Sequence, residues 1–201
     1  MTDALALLDW RRTVSAMYAD VRSAADPANG HARWRTARDD LFRNHSQSPL
    51  LPGDQLRVSG LPYWPYDPAL RFEVALRPAQ RDDRREIPSV NDGVIRMSLV
   101  GHLQIEPLDV ALDVWWLDQY AGGLFVPVRD GTAGTESYGG GRYLLDTAKG
   151  ADLGAGEGTL IVDFNFLYHP SCRYNPAWEC PLAPEGNTVA VSIRGGERLS
   201  L

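Results

Sequence analysis

The spacing of apolar residues changes once along the chain, and this change limits the possible folds more than any other feature. Before about residue 45, apolar residues recur at three- and four-residue steps, as in Val14, Met17 and Val21, which is the pattern of an amphipathic helix. Beyond Pro49 they alternate at every second position, as in segment 71–77, which is the pattern of a half-buried strand. The sequence therefore predicts a helical N-terminal segment followed by a β region.

Two helices are predicted in the N-terminal segment. Thr2 or Asp3 can cap the start of the first helix, and segment 26–30 (Asp-Pro-Ala-Asn-Gly) breaks it. The second ends near Asn44, a residue that tolerates the left-handed conformation at a helix C-terminus. Its apolar face consists of Trp34, Ala37, Leu41 and Phe42. Such short amphipathic helices need another layer on which to pack.

The rest of the chain predicts many short strands separated by Gly- and Pro-rich turns. Residues 91–93 (Asn-Asp-Gly) predict a tight hairpin turn, because Asp-Gly accepts the positive φ angles that such a turn needs. The predicted strands are 71–77, 87–90, 94–100, 103–105, 110–117, 124–128, 143–145, 160–164 and 189–193.

This pattern is typical of a mainly β protein, either a β-sandwich or a partly closed, split β-barrel, because no helix-length crossovers support a parallel sheet. We predict a single domain, residues 1–201. It comprises a helical segment, residues 1–45, laid against a β domain, residues 46–201.

Composition excludes two classes of partner. The net charge of −6 argues against nucleic acid and anionic membranes, which require clustered Lys and Arg. No window approaches the roughly 20 apolar residues of a membrane span, and the N-terminus lacks the pattern of a signal peptide. We therefore expect a soluble cytoplasmic protein. Composition names no cofactor and no oligomeric state.

Segment 138–143 (Tyr-Gly-Gly-Gly-Arg-Tyr) contains three consecutive glycines and is a candidate ligand-binding loop. A phosphate-binding loop of the G-x-x-x-x-G-K-[ST] type is excluded, since neither that motif nor a following helix is present. The glycines fit a turn that needs positive φ angles or a close backbone approach. Alternatively, Tyr138 and Arg142 offer a hydroxyl and a guanidinium fork to a carboxylate or phosphate.

Segment 163–181 has the highest density of polar and Pro residues in the chain. Asp163 and Asn165 follow an apolar strand, where such side chains often cap the next loop by accepting its backbone N–H groups. The strand ends suggest that this segment lies close to the glycine turn. Together the two segments predict one ligand-binding pocket: Tyr138, Arg142, Asp163, Asn165, Tyr168, Cys172 and Arg173.

The two cysteines, Cys172 and Cys180, admit four interpretations. A disulfide would close a short loop and contribute roughly 2.6 kcal/mol of stability, whereas reduced thiols would be small buried apolar groups, as most free cysteines are. As metal ligands they would join His169, but the chain has no Cys-x-x-Cys pair. Cys172 as a nucleophile would need a cation such as Arg173 nearby.

Several motifs together resemble the bacterial and archaeal DUF1684 family, over roughly residues 40–198. They are segments 45–50, 124–130, 138–144, 163–165, 170–174, 180–181 and 184–187. The resemblance implies no function, because none has been assigned to the family. The resemblance does not imply that His169 binds a metal, because family members often have Asn-Pro where this chain has His169-Pro170.

Three functions are compatible with these observations. The first is a binding module for a small polar or anionic ligand, with Arg142 or Arg173 as its charge partner. The second is a metal-assisted or cysteine-dependent hydrolase-like enzyme that uses His169, Cys172 and Cys180. The third is a structural or protein-interaction domain, with the Pro-rich aromatic segment 62–68 on its surface. The sequence does not decide whether the protein is an enzyme.

Overall fold

The computed structural model describes residues 3–89, 93–118, 120 and 122–200. It contains a six-stranded and a two-stranded sheet, neither of them closed, with two long helices at the N-terminus. The predicted mainly β class with a two-helix N-terminal segment is therefore confirmed.

Within the described residues, three α-helices precede the sheets. Helix α1 spans Asp3–Ser23, α2 spans Pro27–Asn44, and the short α3 spans Leu56–Ser59. Thr2, the other predicted cap of α1, lies outside the described residues. The predicted break between the two helices is present, but it lies at residues 24–26, and residues 27–30 of the predicted segment 26–30 belong to α2. Asp26 caps α2 by accepting the Ala28 N–H at 3.1 Å, and Pro27 occupies the first turn, where its missing N–H is not needed.

In the part of the chain that the structure describes, the strands are β1 Arg71–Ala75, β2 Arg77–Pro78, β3 Arg84–Ser89, β4 Gly93–Ile105, β5 Val110–Leu117, β6 Gly123–Val128, β7 Arg142–Asp146 and β8 Thr159–Asp163. The larger sheet has the order β2-β4-β5-β6-β7, and β3 also pairs with β4. Strands β1 and β8 form the smaller sheet, and every strand pair in both sheets is antiparallel.

Two strand predictions need correction around β4. The predicted strands 94–100 and 103–105 are one continuous strand, because a register shift between Leu99 and Gly101 absorbs the irregularity without ending the pairing with β5. Strand β3 pairs with β4 as the predicted hairpin requires. Val90 and the turn residues 91 and 92 lie outside the described residues.

The predicted strand 189–193 was also wrong, since this segment is irregular. Its backbone makes single hydrogen bonds instead of a ladder. The Val189 N–H donates to Arg129 O, the Gly131 N–H donates to Val191 O, and the Ile193 N–H donates to a carboxylate oxygen of Asp130 at 2.6 Å. These bonds hold the C-terminal segment beside β6 and β7.

The main hydrophobic core lies between the N-terminal helices and the β region, and it contains a group of aromatic rings. Trp34 of α2 is 1% exposed and packs edge-on against Phe166 and Tyr63, with ring centroids 5.0 and 5.6 Å apart. Such contacts add to the free energy of burial. The core therefore fixes the helices against the segment that follows β8.

Within the described part of the chain, no helix has the combined length and hydropathy to cross a bilayer.

Candidate ligand-binding site

A buried ionic cluster joins three distant parts of the chain. Glu197 is completely buried, and its carboxylate accepts hydrogen bonds from Arg38 Nη2 at 3.2 Å, from the His169 backbone N–H at 2.8 Å and from the Tyr174 hydroxyl. Burial alone would raise the pKa of Glu197, but the charge of Arg38 and these donors together lower it. Glu197 is therefore an ionised anchor for α2 and for segment 169–174.

His169 is part of this cluster and is neutral. Its Nε2 accepts the Tyr138 backbone N–H at 3.1 Å, so the ring proton resides on Nδ1, which lies 3.8 Å from Glu197 Oε1. Burial is the main cause that lowers the pKa of His169, to about 4. The Nε2 lone pair that a metal would need is thus engaged. Among the described residues, no group of three or more His, Cys, Asp or Glu side chains is arranged to hold a metal ion.

Arg142 is 1% exposed, and its guanidinium is directed into the protein. Nη1 donates to the carbonyls of Gly195 and Glu197 at 2.5 and 3.1 Å, and Nη2 donates to Ile193 O at 2.8 Å and Asp130 Oδ1 at 3.2 Å. This fork holds the C-terminal segment against β7. Arg173, the other predicted charge partner, is partly exposed, with its guanidinium 5.8 Å from the centre of the Tyr174 ring.

Asp163 caps the loop after β8, as predicted, whereas the side chain of Asn165 bonds Asp163 and the backbone of Asp67 before β1. Asp163 Oδ1 accepts from the backbone N–H and the side-chain amide of Asn165, at 3.0 and 2.8 Å. Asn165 in turn bonds both backbone groups of Asp67 and accepts from His31 through its carbonyl. Asp163 Oδ2 has no hydrogen-bond partner in the described chain and lies 3.7 Å from Arg71 Nε, on the wall of a cavity of about 300 Å³.

The glycine turn and segment 163–181 do meet. Besides the Tyr138–His169 bond, the backbones of Tyr143 and Tyr168 exchange two hydrogen bonds, at 2.8 and 3.1 Å. Gly141 has φ +87°, and a Cβ there would lie 2.6 Å from the Val128 carbonyl oxygen, so the turn requires glycine at this position.

Tyr168 lines a narrow cavity between the helices and β7, which we call the inner pocket. Its volume is about 80 Å³, and its walls include Trp10, Trp34, Arg38, Asp146, Tyr168 and Cys180. Asp163 lies on a different cavity. Of the seven residues predicted to share one pocket, two line separate cavities, and the other five line none of the five cavities described: Tyr138, Arg142, Asn165, Cys172 and Arg173.

A wider cavity of about 560 Å³, the outer cleft, lies beside the inner pocket. It is lined by Arg11 of α1, by the β4–β5 side of the sheet and by Asp146, Lys149 and Pro181. Asp146 and Lys149 line both cavities. The two spaces thus have a common wall at the end of β7.

Asp146 is the most unusual polar group on that wall. The residue is 2% exposed, its Oδ2 lies 3.7 Å from Lys149 Nζ, and its Oδ1 is buried without a hydrogen-bond partner in the described chain. Burial raises the pKa of Asp146, although Lys149 opposes the rise. Arg38 Nε is likewise buried and unpartnered. An unpaired buried polar atom is unfavourable by about 1–3 kcal/mol, and both residues, Asp146 and Arg38, line the inner pocket.

The two cysteines are both free and half-buried beside this site. The Cys172 backbone N–H donates to Cys180 Sγ at 3.4 Å, and Cys172 Sγ lies 3.9 Å from the Tyr138 hydroxyl. Cys180 lines the inner pocket. The disulfide interpretation is thus not the state seen here, although the thiols are neighbours.

Sequence reasoning missed the charged residues Arg38, Asp146 and Glu197. For Arg38 a signal existed, because it lies four residues from both Trp34 and Phe42 and thus interrupts the apolar face of α2. Asp146 follows a predicted strand, as Asp163 does, and the same argument could have been applied to it. Glu197 carries no comparable local signal.

Comparison with known proteins gives a family and a fold but no activity. The family model described as "Protein of unknown function (DUF1684)" matches residues 57–198. The solution NMR structure of an uncharacterized protein from Haloarcula marismortui is similar, with 32% sequence identity and a TM-score of 0.58. The alignment covers 82% of this chain and 90% of that one. No curated protein matches the chain.

Proposed function

The chain belongs to the DUF1684 family, which has no assigned function, and we propose that it is a binding module for a small polar or anionic molecule. The ligand would occupy the junction of the inner pocket and the outer cleft. The observation that carries this proposal is Asp146, which lines both spaces and whose Oδ1 is buried without a hydrogen-bond partner in the described chain.

The inner pocket selects the end of the ligand that enters it. Its volume of about 80 Å³ is roughly half that of a cavity of about 150 Å³ that admits benzene, so it accepts an end group of a few heavy atoms. Asp146 Oδ1 accepts a hydrogen bond and Arg38 Nε donates one, and both are unpartnered. A hydroxyl or a primary amide satisfies this pair, while Trp10 and Trp34 supply apolar walls.

The outer cleft selects the remainder of the ligand. Arg11 and Lys149 bring two positive charges to its wall. Among the described residues Arg11 makes no hydrogen bond or ion pair, although its charge acts on Asp146, and Lys149 Nζ pairs with Asp146 at 3.7 Å. Arg96, also on this wall, is paired with Glu86 at 2.9 Å. A carboxylate or phosphate on the ligand would therefore find its partners in Arg11 and Lys149.

Thermal unfolding in the presence of small hydroxyl-bearing anions tests the proposal. The probes are lactate, citrate and glycerol 3-phosphate, with chloride at equal ionic strength as the reference. A probe at about 100 times its Kd stabilises the folded protein by about 2.7 kcal/mol, which raises Tm by roughly 5–10 °C for a chain of this size.

The variants Arg11→Ala and Lys149→Ala should lose this shift. The matched control is Arg77→Ala, which removes an exposed arginine of β2 that is paired with Glu106 and lines neither space. The proposal is overturned if none of the probes raises Tm above the chloride reference, or if both cleft variants retain the full shift.

A further inference from the structure

The two cysteines are held next to each other by contacts outside their own loop. Tyr174, two residues after Cys172, is anchored through its hydroxyl to the buried Glu197. Pro181, directly after Cys180, accepts a hydrogen bond from the Tyr143 hydroxyl at 2.7 Å through its carbonyl. Both ends of loop 172–180 are thus attached to the protein, so the two sulfurs remain neighbours without a covalent bond between them.

The surroundings of the two sulfurs are not equivalent. Cys180 Sγ accepts the Cys172 N–H at 3.4 Å, and the Cys172 thiol and the Ser171 N–H are near enough to act on it. The Cys172 thiol hydrogen bond is the largest of the causes that lower the pKa of Cys180, to about 6, and Lys149 adds a smaller electrostatic contribution. Donation of that same hydrogen bond, together with burial, raises the pKa of Cys172. These shifts favour a thiolate at Cys180 and a thiol at Cys172 at about pH 7.

The ionisable groups around the pair include three neutral phenols, the cation Arg173 and two carboxylates, Glu179 directly before Cys180 and Asp146 on the wall of the inner pocket. Tyr138, Tyr143 and Tyr168 each interact electrostatically with Cys180, and burial is the largest cause that raises the pKa of all three. Arg173 lies close enough to act on Tyr138. Because Cys180 also lines the inner pocket, its sulfur can be reached by a small molecule.

We propose that Cys172 and Cys180 form a redox-active pair that exchanges with small disulfides, with Cys180 as the attacking thiolate and Cys172 as the resolving thiol. This role does not depend on the anion-binding role of the outer cleft. It assigns a second activity to the wall of the inner pocket.

The exchange proceeds in two steps. The Cys180 thiolate attacks one sulfur of a disulfide RSSR, so that the R–S–S–R bond breaks, Cys180–S–S–R forms and RS⁻ leaves. The Cys172 thiol gives its proton to this RS⁻, and its sulfur attacks Cys180 Sγ. The Cys172–Cys180 disulfide forms, and the second RS⁻ is released. Two electrons pass from the protein to RSSR, which is reduced to RSH and RS⁻.

Intact-mass measurement after reaction with oxidised glutathione at about pH 7 tests the assignment. The reduced wild-type protein should become two hydrogens lighter and retain no glutathione. Cys172→Ser lacks the resolving thiol and should therefore retain one glutathione on Cys180. Cys180→Ser should react about tenfold more slowly, because the remaining Cys172 does not line the inner pocket and its pKa is still raised by burial. The pairing is overturned if the wild type retains glutathione, or if Cys180→Ser reacts as fast as Cys172→Ser.

A measurement on the wild-type protein keeps the proposal falsifiable if a variant fails to fold. Iodoacetamide alkylation, located by peptide mapping, should modify Cys180 before Cys172, with a rate that rises through a midpoint near pH 6. Equal modification of both cysteines would overturn the assignment. So would a Cys180 midpoint near the ordinary thiol pKa of about 8.5.

Discussion

Arg38 Nη2 lies 3.2 Å from Glu197 Oε2, and this contact joins α2 to the C-terminal segment across 159 positions of sequence. Both side chains are at least nine-tenths buried. The Arg38 guanidinium also lies over the rings of Phe42 and Tyr168, at 4.3 and 4.9 Å from their centres. The pair therefore ties the N-terminal helices to the wall of the inner pocket.

Breaking this pair should destabilise the protein strongly. Arg38→Met leaves the Glu197 carboxylate buried without its cation, and we expect the free energy of unfolding in urea to fall by about 3–5 kcal/mol. The matched control is Arg33→Met on the same helix, which breaks the exposed pair with Asp20 and should have only a small effect. Similar losses in the two variants would contradict the assigned role of the buried pair.

Protonation of His169 should make the protein sensitive to acid. Its pKa is about 4 in the folded state, below the unfolded value of about 6.5, so unfolding takes up a proton between these limits. The stabilisation is complete above about pH 6.5 and is lost progressively as pH falls towards 4, up to about 3 kcal/mol.

His169→Asn should reduce by one the number of protons taken up on unfolding between about pH 6.5 and 4. The slope of the free energy of unfolding against pH should become correspondingly smaller. His31, whose pKa burial also lowers to about 4, is an independent comparison, and the double variant should remove two protons. An unchanged slope in His169→Asn would show that the ring does not remain neutral in the folded protein.

Replacing Asp146 with Asn should stabilise the empty protein. Burial raises the pKa of Asp146, so its ionised form is unfavourable in the folded state. Asp146→Asn should therefore increase the free energy of unfolding at about pH 7. The gain should shrink as pH falls through the raised folded pKa and vanish below the unfolded value of about 3.9.

The same variant should bind probes less well, because an amide oxygen at this position is a weaker acceptor than a carboxylate oxygen. Gain of stability with loss of ligand response is typical of a residue retained for binding. The measurement is urea unfolding at several pH values, combined with the Tm shift caused by the probes. A less stable Asp146→Asn protein at neutral pH would contradict the electrostatic argument.

We expect Arg142 to stabilise the C-terminal segment and not to bind a ligand. Arg142→Lys keeps the charge but loses the fork that contacts Asp130 and the carbonyls of residues 193, 195 and 197. We expect a loss of about 2–4 kcal/mol in the free energy of unfolding. Amide hydrogen exchange should become faster in residues 193–197, with the probe response retained. Loss of the probe response in a stably folded variant would instead support a ligand role.

Part of the candidate site was predictable. The strand ends indicated that the glycine turn and segment 163–181 meet, and the Tyr138–His169 and Tyr143–Tyr168 hydrogen bonds confirm it. A guanidinium such as that of Arg142 is typical of ligand-binding sites, but a buried guanidinium also binds backbone carbonyls. Sequence does not distinguish the two uses, because burial depends on distant segments.

The amino-acid sequence by itself determined where the main elements lie, because hydrophobic periodicity, capping residues and turn residues act over a few positions. The bounds of α2 near Asn44 and of β5 at Val110–Leu117 follow from such local patterns. Only the tertiary structure decided that β1 pairs with β8 and that Arg38 meets Glu197. It also placed Arg11, Asp146 and Lys149 around one opening. These are contacts between residues far apart in the chain, and they depend on how complete layers pack, which no local pattern encodes.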